Sequence, residues 1–183
     1  MAERIEIRRM CATDPSVIAR AFAEIGWDKP AEQYERYLAD QEAGRRVGLV
    51  AEAEGRFAGY CTLLWNSPYE PFAEQGIPEI QDLNVLPRFQ RRGIGNALLE
   101  AIEHAAGARV ATVGLGVGLY ADYGAAQRLY VRRGYLPDGR GVMYRNRPVP
   151  PGGTVCLDDE AVLMFVRNLP RRTEAMLTKR VRA

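Results

Sequence analysis

The sequence has little of what metal sites and covalent cross-links require. It contains one histidine, His104, and three widely spaced cysteines with no C-x-x-C pair. Structural zinc sites use sets of histidine and cysteine, so no metal is expected. An odd number of separated cysteines is typical of reduced thiols rather than of a disulfide framework. A nucleophilic cysteine paired with histidine would depend on that single imidazole.

Long apolar runs are also absent. The longest ones, such as residues 47–51 and 161–166, are much shorter than the run of about 20 apolar residues that a membrane-spanning helix requires. The first ten residues alternate charged and apolar side chains, without the apolar segment of a secretory signal. These absences predict a cytoplasmic protein without a membrane partner.

The composition is that of one globular domain. The chain has 183 residues, of which 47% are hydrophobic and 26% are charged, and a core of this size needs no disulfide or metal for stability. Residues 167–183 hold six basic residues and one acidic residue. We therefore expect a single domain over residues 1–170 and a basic tail over 171–183 that forms a frayed helix. Such a tail is more typical of a surface helix or a partner contact than of a nucleic-acid site, so nucleic acid is not expected.

Hydrophobic periodicity predicts a mixed α/β sandwich with one sheet, in the order β-α-α-β-β-β-α-β-α-β-β. The strands are predicted at residues 4–10, 46–52, 57–65, 80–86, 109–120, 142–147 and 161–166, with a further short strand near Val155. Helices are predicted at residues 14–25, 30–43, 93–106 and 125–133. The proline-rich segment 66–78 predicts a long loop with exposed aromatic rings, for which acceptor lining and ordinary packing are both open. Three alternating glycines, Gly114, Gly116 and Gly118, indicate that a neighbouring group packs closely on that strand.

The most informative segment is residues 85–99, where a strand ends, a basic and glycine-containing loop follows, and a helix begins. Free main-chain N–H groups at a helix N-terminus favour an anion, and glycine lets the anion come close. The segment is not a P-loop, because no G-x-x-x-x-G-K-[ST] is present, and it lacks the third glycine of a dinucleotide fingerprint. We interpret it as a phosphate-binding site.

Three motifs in this region resemble those of one known family. Residues 90–95, QRRGIG, are similar to the Q/R-x-x-G-x-G/A acyl-CoA motif of the GNAT superfamily of N-acetyltransferases. Residues 79–87, EIQDLNVLP, resemble the central strand of that family, and residues 126–135, AQRLYVRRGY, resemble its A-x-x-L-Y-x-x-x-G-F/Y helix. The order of elements agrees with the family over residues 4–166.

The resemblance implies a mixed, mostly antiparallel central sheet that splays between two central strands, with helices on both faces. It also implies acetyl-CoA as cosubstrate and direct attack by a primary amine of a small-molecule or peptide acceptor. A noncatalytic acyl-CoA sensor and a protein N-acetyltransferase are the alternatives. A monomer and a homodimer are both open.

Cofactor contacts follow from the resemblance. Val85 is the counterpart of a residue whose main-chain N–H stabilises the oxyanion, and Tyr123 replaces an asparagine that many members use to contact CoA. The complete set of implied cofactor-binding residues is Leu83, Val85, Gln90, Arg91, Arg92, Gly93, Ile94, Gly95, Asn96, Tyr123 and Ala126.

Three residues are the catalytic candidates. The resemblance makes Tyr130 the general acid for the leaving thiolate, although a tyrosine on an amphipathic helix is also compatible with a core role. Glu79 is the first choice for the base, with a solvated strand-start residue as the alternative. Regular alternation places Glu79 on one face of the strand and Asp82 on the other. A bulge would reverse this parity, so Asp82 is the second candidate, and a water chain without a single base is the third possibility. Alternation also predicts that Glu79 shares its face with Gln81, Leu83 and Val85.

Overall fold

The computed structural model describes residues 5–170. These residues form one eight-stranded sheet with the strand order β1-β2-β3-β4-β5-β8-β6-β7. The strands are β1 (Ile5–Arg9), β2 (Arg46–Ala53), β3 (Arg56–Leu64), β4 (Glu79–Val85), β5 (Thr112–Gly118), β6 (Leu136–Tyr144), β7 (Arg147–Pro148) and β8 (Ala161–Asn168). The helices are α1 (Asp14–Ala23), α2 (Ala31–Glu42), α3 (Glu70–Gln75), α4 (Ile94–Gly107) and α5 (Gly124–Arg132).

Every pair of neighbouring strands is antiparallel except β4 and β5, which run parallel at the centre of the sheet. Parallel neighbours need a crossover connection, and α4 supplies it. The predicted mixed, mostly antiparallel sheet is confirmed. In the described part of the chain, no helix is long and apolar enough to cross a membrane.

Helices cover both faces of the sheet. On one face, Tyr60 of β3 packs edge-on against Phe22 of α1 and Tyr34 of α2, with ring centroids 6.0 and 5.2 Å apart. The other face is covered by α4, whose apolar side Leu98, Leu99 and Ile102 is fully buried. The period of apolar residues in α4 therefore reports its packing correctly.

Two predictions about local structure are wrong. The segment 66–78 contains the short helix α3, and its rings Tyr69 and Phe72 are buried rather than exposed. Phe72 occupies the space above Gly114, where a Cβ would lie 2.1 Å from the ring. The glycine of β5 thus explains why the ring turns inward. Val155 lies in the connection between β7 and β8, not in a strand. The predicted tail, residues 171–183, lies outside the described residues.

Candidate active site

The two central strands separate soon after they meet. Strands β4 and β5 pair only at Glu79 with Gly114 and at Ile80 with Leu115. Beyond these residues β4 stays paired to β3 as far as Val85, and β5 stays paired to β8 as far as Gly118. A wedge-shaped split therefore opens between the C-terminal halves of β4 and β5. This is the splay that the sequence resemblance implies.

A β-bulge in β4 lies beside this split. Gln81 pairs with Thr62 and Asn84 pairs with Tyr60, so the two residues between them on β4 face one residue on β3. Asp82, the first of these two, has a φ of 54°, in the left-handed region. An extra residue changes which side chains share a face.

The bulge reverses the predicted parity of β4. Gln81, Asp82 and Asn84 all contact side chains on the face that α1 and α2 cover. Leu83 and Val85 therefore lie on the opposite face, toward α4. The expectation that they share a face with Glu79 is wrong. The alternative, in which a bulge brings Asp82 to the face of Glu79, is confirmed.

Glu79 is a buried carboxylate at the closed end of the split, with 8% of its surface exposed. The Ser67 hydroxyl donates a hydrogen bond to its Oε2 at 2.5 Å, and the main-chain N–H of Tyr69 donates to that hydroxyl at 3.0 Å. Burial raises the pKa of Glu79, and the hydrogen bond from Ser67 opposes this only in part. A solvated position at the start of the strand, the alternative reading, is wrong.

Asp82 is half-buried at the open part of β4. The hydroxyl of Tyr37 on α2 donates a short hydrogen bond to its Oδ2. Tyr37 is itself held by Gln33, whose Nε2 donates to the tyrosine oxygen at 2.9 Å, and by the guanidinium of Arg46, 4.2 Å from the ring centroid. The carboxylate is thus fixed from the helical layer.

Arg46 packs on the ring of Tyr37, the partner of Asp82, and interacts electrostatically with Glu79. It is 6% exposed, and its Nη1 donates to the Thr62 hydroxyl at 2.7 Å and to Gln81 Oε1 at 3.1 Å. Its charge lowers the pKa of Glu79, against the larger effect of burial. We call Tyr37, Arg46, Glu79 and Asp82 the carboxylate cluster. No sequence motif indicates Tyr37 and Arg46 as site residues, because their places in the cluster depend on contacts between α2, β2 and β4.

Tyr130 lies on the other face of the sheet. It belongs to α5, is 7% exposed, and packs edge-on against Tyr135 with ring centroids 5.8 Å apart. Burial raises its pKa, and the neighbouring Cys61 contributes in the same direction. Cys61 alternates with Tyr60 on β3 and therefore faces away from α1 and α2. Tyr130 and the carboxylate cluster consequently lie on opposite sides of β4.

The loop between β4 and α4 has the backbone that close approach of an anion requires. Arg91 and Gly93 both have left-handed φ angles, 60° and 86°. Residues 90–93 are exposed, and no side chain among residues 5–170 caps the first turn of α4. The first N–H groups of a helix have no intrahelical partner. The Gln90 side chain ties the loop to the strand, because its Nε2 donates to the Val85 carbonyl at 3.1 Å.

The side chains of this loop are used differently from its main chain. Ile94 is buried in the core, and a Cβ at Gly95 would lie 3.5 Å from Leu129. Arg92 lies 5.3 Å from the Phe89 ring and donates to Glu54 at 3.1 Å. Asn96 Oδ1 accepts a hydrogen bond from Arg133. The loop therefore presents mainly N–H groups to a ligand.

Tyr123 and Ala126 border the split from the side of β5. The Tyr123 ring covers Gly118, where a Cβ would lie 2.4 Å from it, and its hydroxyl donates to Asp159 at 2.9 Å. Ala126 packs half-buried against the core. Gln127 Nε2 donates to the Gly118 carbonyl at 2.8 Å and so joins α5 to the end of β5.

The arrangement suits a ligand with an anionic head and an extended chain. The loop offers N–H groups without a competing side-chain cap, and the split offers unpaired strand edges for an elongated group. Within residues 5–170, no group of three or more histidine, cysteine, aspartate or glutamate side chains is placed to hold a metal ion. The anion-binding loop and the split of the sheet are features of an acyl-CoA-dependent transferase.

Comparison with known families agrees with this class. The sequence profile of the acetyltransferase (GNAT) family matches residues 12–135, more than half of the chain. The chain belongs to the GNAT acetyltransferase family. No curated protein matches the chain.

Solved structures show the same fold. An acetyltransferase of the GNAT family from Desulfovibrio desulfuricans is 18% identical, with a TM-score of 0.68 over 91% of this chain and 100% of that one. An acetyltransferase from Salmonella typhimurium, solved with its cofactor acetyl-CoA, is 19% identical with a TM-score of 0.66, over 91% of this chain and 94% of that one. The ribosomal-protein-S18-alanine N-acetyltransferase from Escherichia coli is 19% identical with a TM-score of 0.63, over 93% and 97%. The predicted family, fold and enzyme class are confirmed.

Proposed function

We propose that this acetyltransferase moves the acetyl group of acetyl-CoA to a primary amine by direct attack. One observation carries the proposal: the central strands split beside two carboxylates on one face and a buried tyrosine on the other. An amine that approaches from the carboxylate face can lose a proton there, and a thiolate that leaves on the opposite face can gain one from the tyrosine. Transfer then needs no covalent enzyme intermediate.

The loop and the split hold the cofactor. The main-chain N–H groups of residues 91–96 bind the pyrophosphate, and Gly93 and Gly95 allow it to approach the backbone. Leu83 and Ala126 line the extended pantetheine, and Tyr123 borders it at the end of β5. Acetyl-CoA supplies the activated thioester.

Val85 stabilises the oxyanion through its main-chain N–H. The next residue, Leu86, donates its N–H to Ala58 of the β3 side at 2.9 Å. Successive residues of an antiparallel strand alternate the direction of their main-chain groups. The Val85 carbonyl accordingly points away from β3, where Gln90 binds it. The Val85 N–H points the same way, into the split, where it can donate to a developing negative oxygen.

Glu79 is the proposed base, with Asp82 as the second candidate on the same face. The ammonium group of the acceptor transfers one proton to the carboxylate, directly or through water, and the neutral amine forms the new C–N bond. As the C–S bond breaks, the nitrogen releases its second proton to water and becomes the amide N–H. Burial raises the pKa of Glu79, and a base with a pKa nearer to the working pH accepts a proton more readily.

Tyr130 is the proposed acid. When the C–S bond breaks, the phenol gives its proton to the departing thiolate. Burial keeps the pKa of Tyr130 above its usual value, so the phenol is protonated at neutral pH and the proton is available. No hydrogen-bonded group among the described residues contributes to that pKa, which suits a hydroxyl directed at a ligand.

The acceptor is a small-molecule amine or a peptide. Neighbours in fold include the alanine N-acetyltransferase of ribosomal protein S18 and an enzyme named for ribosomal L7/L12 α-N-acetylation, which supports a peptide acceptor. We propose one domain over residues 1–170. A cytoplasmic location is supported by two exposed free cysteines, Cys11 and Cys156, which suit a reducing compartment.

Calorimetric titration of the purified protein with acetyl-CoA tests the cofactor assignment, and a panel of amines and N-terminal peptides with detection of released thiol tests the reaction. We expect binding in the range of tens of micromolar, about −6 kcal/mol, and thiol release with at least one acceptor. Absence of binding contradicts the proposal. Binding without turnover on any acceptor supports the noncatalytic sensor.

A further inference from the structure

Another buried carboxylate, Glu103 of α4, lies outside the split and has no part in the reaction proposed above. It is 7% exposed and accepts hydrogen bonds from three side chains. The Tyr135 hydroxyl donates to Oε1 at 2.9 Å, and Arg167 Nη1 of β8 donates to Oε2 at 2.5 Å. Arg133, just after α5, donates Nε to Oε1 at 3.1 Å and Nη2 to Oε2. A buried charge is stable only when it is paired in this way.

Arg133 makes one contact that Arg167 does not make. Its remaining nitrogen, Nη1, donates to Asn96 Oδ1 at 2.5 Å. Asn96 is the third residue of α4 after Gly93, within the first turn whose N–H groups have no side-chain cap. The planar guanidinium thus spans two turns of α4, from Glu103 to Asn96. The guanidinium is planar and rigid, so binding of its Nε and Nη2 to Glu103 fixes the position of Nη1, which binds Asn96.

The same arginine is close to the proposed acid. The main-chain N–H of Arg133 donates to the carbonyls of Leu129 and Tyr130, and the N–H of Tyr135 donates to Tyr130 at 3.0 Å. Arg133 therefore joins the end of α5, which carries Tyr130, to the start of α4.

We propose that Arg133 is a positioning residue for the cofactor. Anchored on Glu103, it holds the first turn of α4 through Asn96, so that the free N–H groups stay directed at the pyrophosphate. Its positive charge also lies beside the helix end that receives the anion. The inference rests on the proposed cofactor site, and it adds a residue that no motif of the loop contains.

Arg133→Met tests the inference, with Arg167→Met as its matched control. Both substitutions remove one guanidinium from Glu103 and leave the other arginine and Tyr135 in place, but only Arg133→Met frees Asn96. We expect Arg133→Met to weaken acetyl-CoA binding about tenfold in calorimetry, the scale of one hydrogen bond to a charged group. Both variants should lower the melting temperature by similar amounts, because each removes one arginine from Glu103. Arg167→Met should leave the dissociation constant of acetyl-CoA unchanged.

Asn96→Ala gives an independent test that does not disturb the buried carboxylate. It should weaken acetyl-CoA binding by a similar factor, and the double variant Asn96→Ala, Arg133→Met should add little, because both changes break the same contact. Equal affinities of the Arg133 and Arg167 variants, or wild-type affinity in Asn96→Ala, overturn the inference alone. Absence of acetyl-CoA binding in the unaltered protein overturns the proposed function as well.

Discussion

The two sides of the split are built by different means. On the proposed cofactor side, the pyrophosphate loop is a continuous segment, residues 90–96, that uses main-chain N–H groups, left-handed backbone and glycine, and it is largely exposed. The carboxylate cluster combines side chains from α2, β2 and β4; Arg46 and Glu79 are buried, and Tyr37 and Asp82 are half-buried. A site made from main-chain groups consists of consecutive residues and can be seen in the sequence. A site made from side chains is assembled by tertiary packing.

The difference has a chemical counterpart. Phosphate groups are alike in every acyl-CoA, so N–H groups at a helix end suffice for them. An acceptor amine requires a group that removes a proton, and the environment of each carboxylate decides which one can do so. Burial raises the pKa of Glu79, and Tyr37 fixes Asp82.

The largest effect is expected on the cofactor side. Gly95→Trp should abolish acetyl-CoA binding, because the ring would fill the approach to the N–H groups beside Leu129. Calorimetry measures the affinity, and circular dichroism checks that the variant is folded. A folded variant with unchanged affinity would refute the assigned loop.

Turnover should separate from binding at Tyr130. Tyr130→Phe removes the proposed acid but keeps the ring, so kcat should fall by about a hundredfold, the lower range for general acid catalysis, while acetyl-CoA affinity stays the same. Thiol-release kinetics and calorimetry give the two values. An unchanged kcat would mean that water or another group protonates the thiolate.

The pH profile should distinguish the two carboxylates. A base accepts a proton only when it is ionised, so kcat/KM should fall as the pH drops through the pKa of Glu79, which burial raises above its ordinary value. Glu79→Gln should lower kcat/KM and remove this acid limb. In Asp82→Asn the limb should persist, and the reverse pattern would assign the base to Asp82.

The smallest effect is expected at Tyr37. Tyr37→Phe keeps the ring beneath Arg46 and removes only the hydroxyl that binds Asp82. We expect kcat/KM for the amine to fall by a few-fold, about 1 kcal/mol for one hydrogen bond, with acetyl-CoA affinity unaffected. A fall in cofactor affinity would show that the two sides of the split are not independent.

Most of the fold was predictable from the sequence, because periodicity reports which side of each element is buried. The helix at Ile94–Gly107 and the sequence of elements along the chain around it follow from apolar spacing. Helix α3 was not predictable, because it has only six residues and its segment contains three prolines. It is stabilised by the packing of Phe72 on Gly114. Local signals are weak where a distant residue supplies the stabilisation.

The candidate site divides in the same way. The glycines and arginines at residues 90–96 indicate a binding loop only together with the strand and helix motifs on either side of it. The faces of β4 were not predictable, because the alternation of side chains fails at a bulge. An aspartate in the sequence does not by itself indicate the left-handed backbone that Asp82 adopts. Tyr37 and Arg46 lie 45 and 35 residues from their partners Asp82 and Gln81, a separation at which only the folded chain shows the contact.

The short pairing between β4 and β5 has a mechanical consequence. Two residue pairs join the half-sheet β1–β4 to the half-sheet formed by β5, β8, β6 and β7. A ligand seated in the split touches both halves and replaces part of the ladder that the strands do not form. It therefore links the two halves across this short ladder, and a ligand that binds only the folded protein raises the melting temperature as its concentration exceeds its dissociation constant.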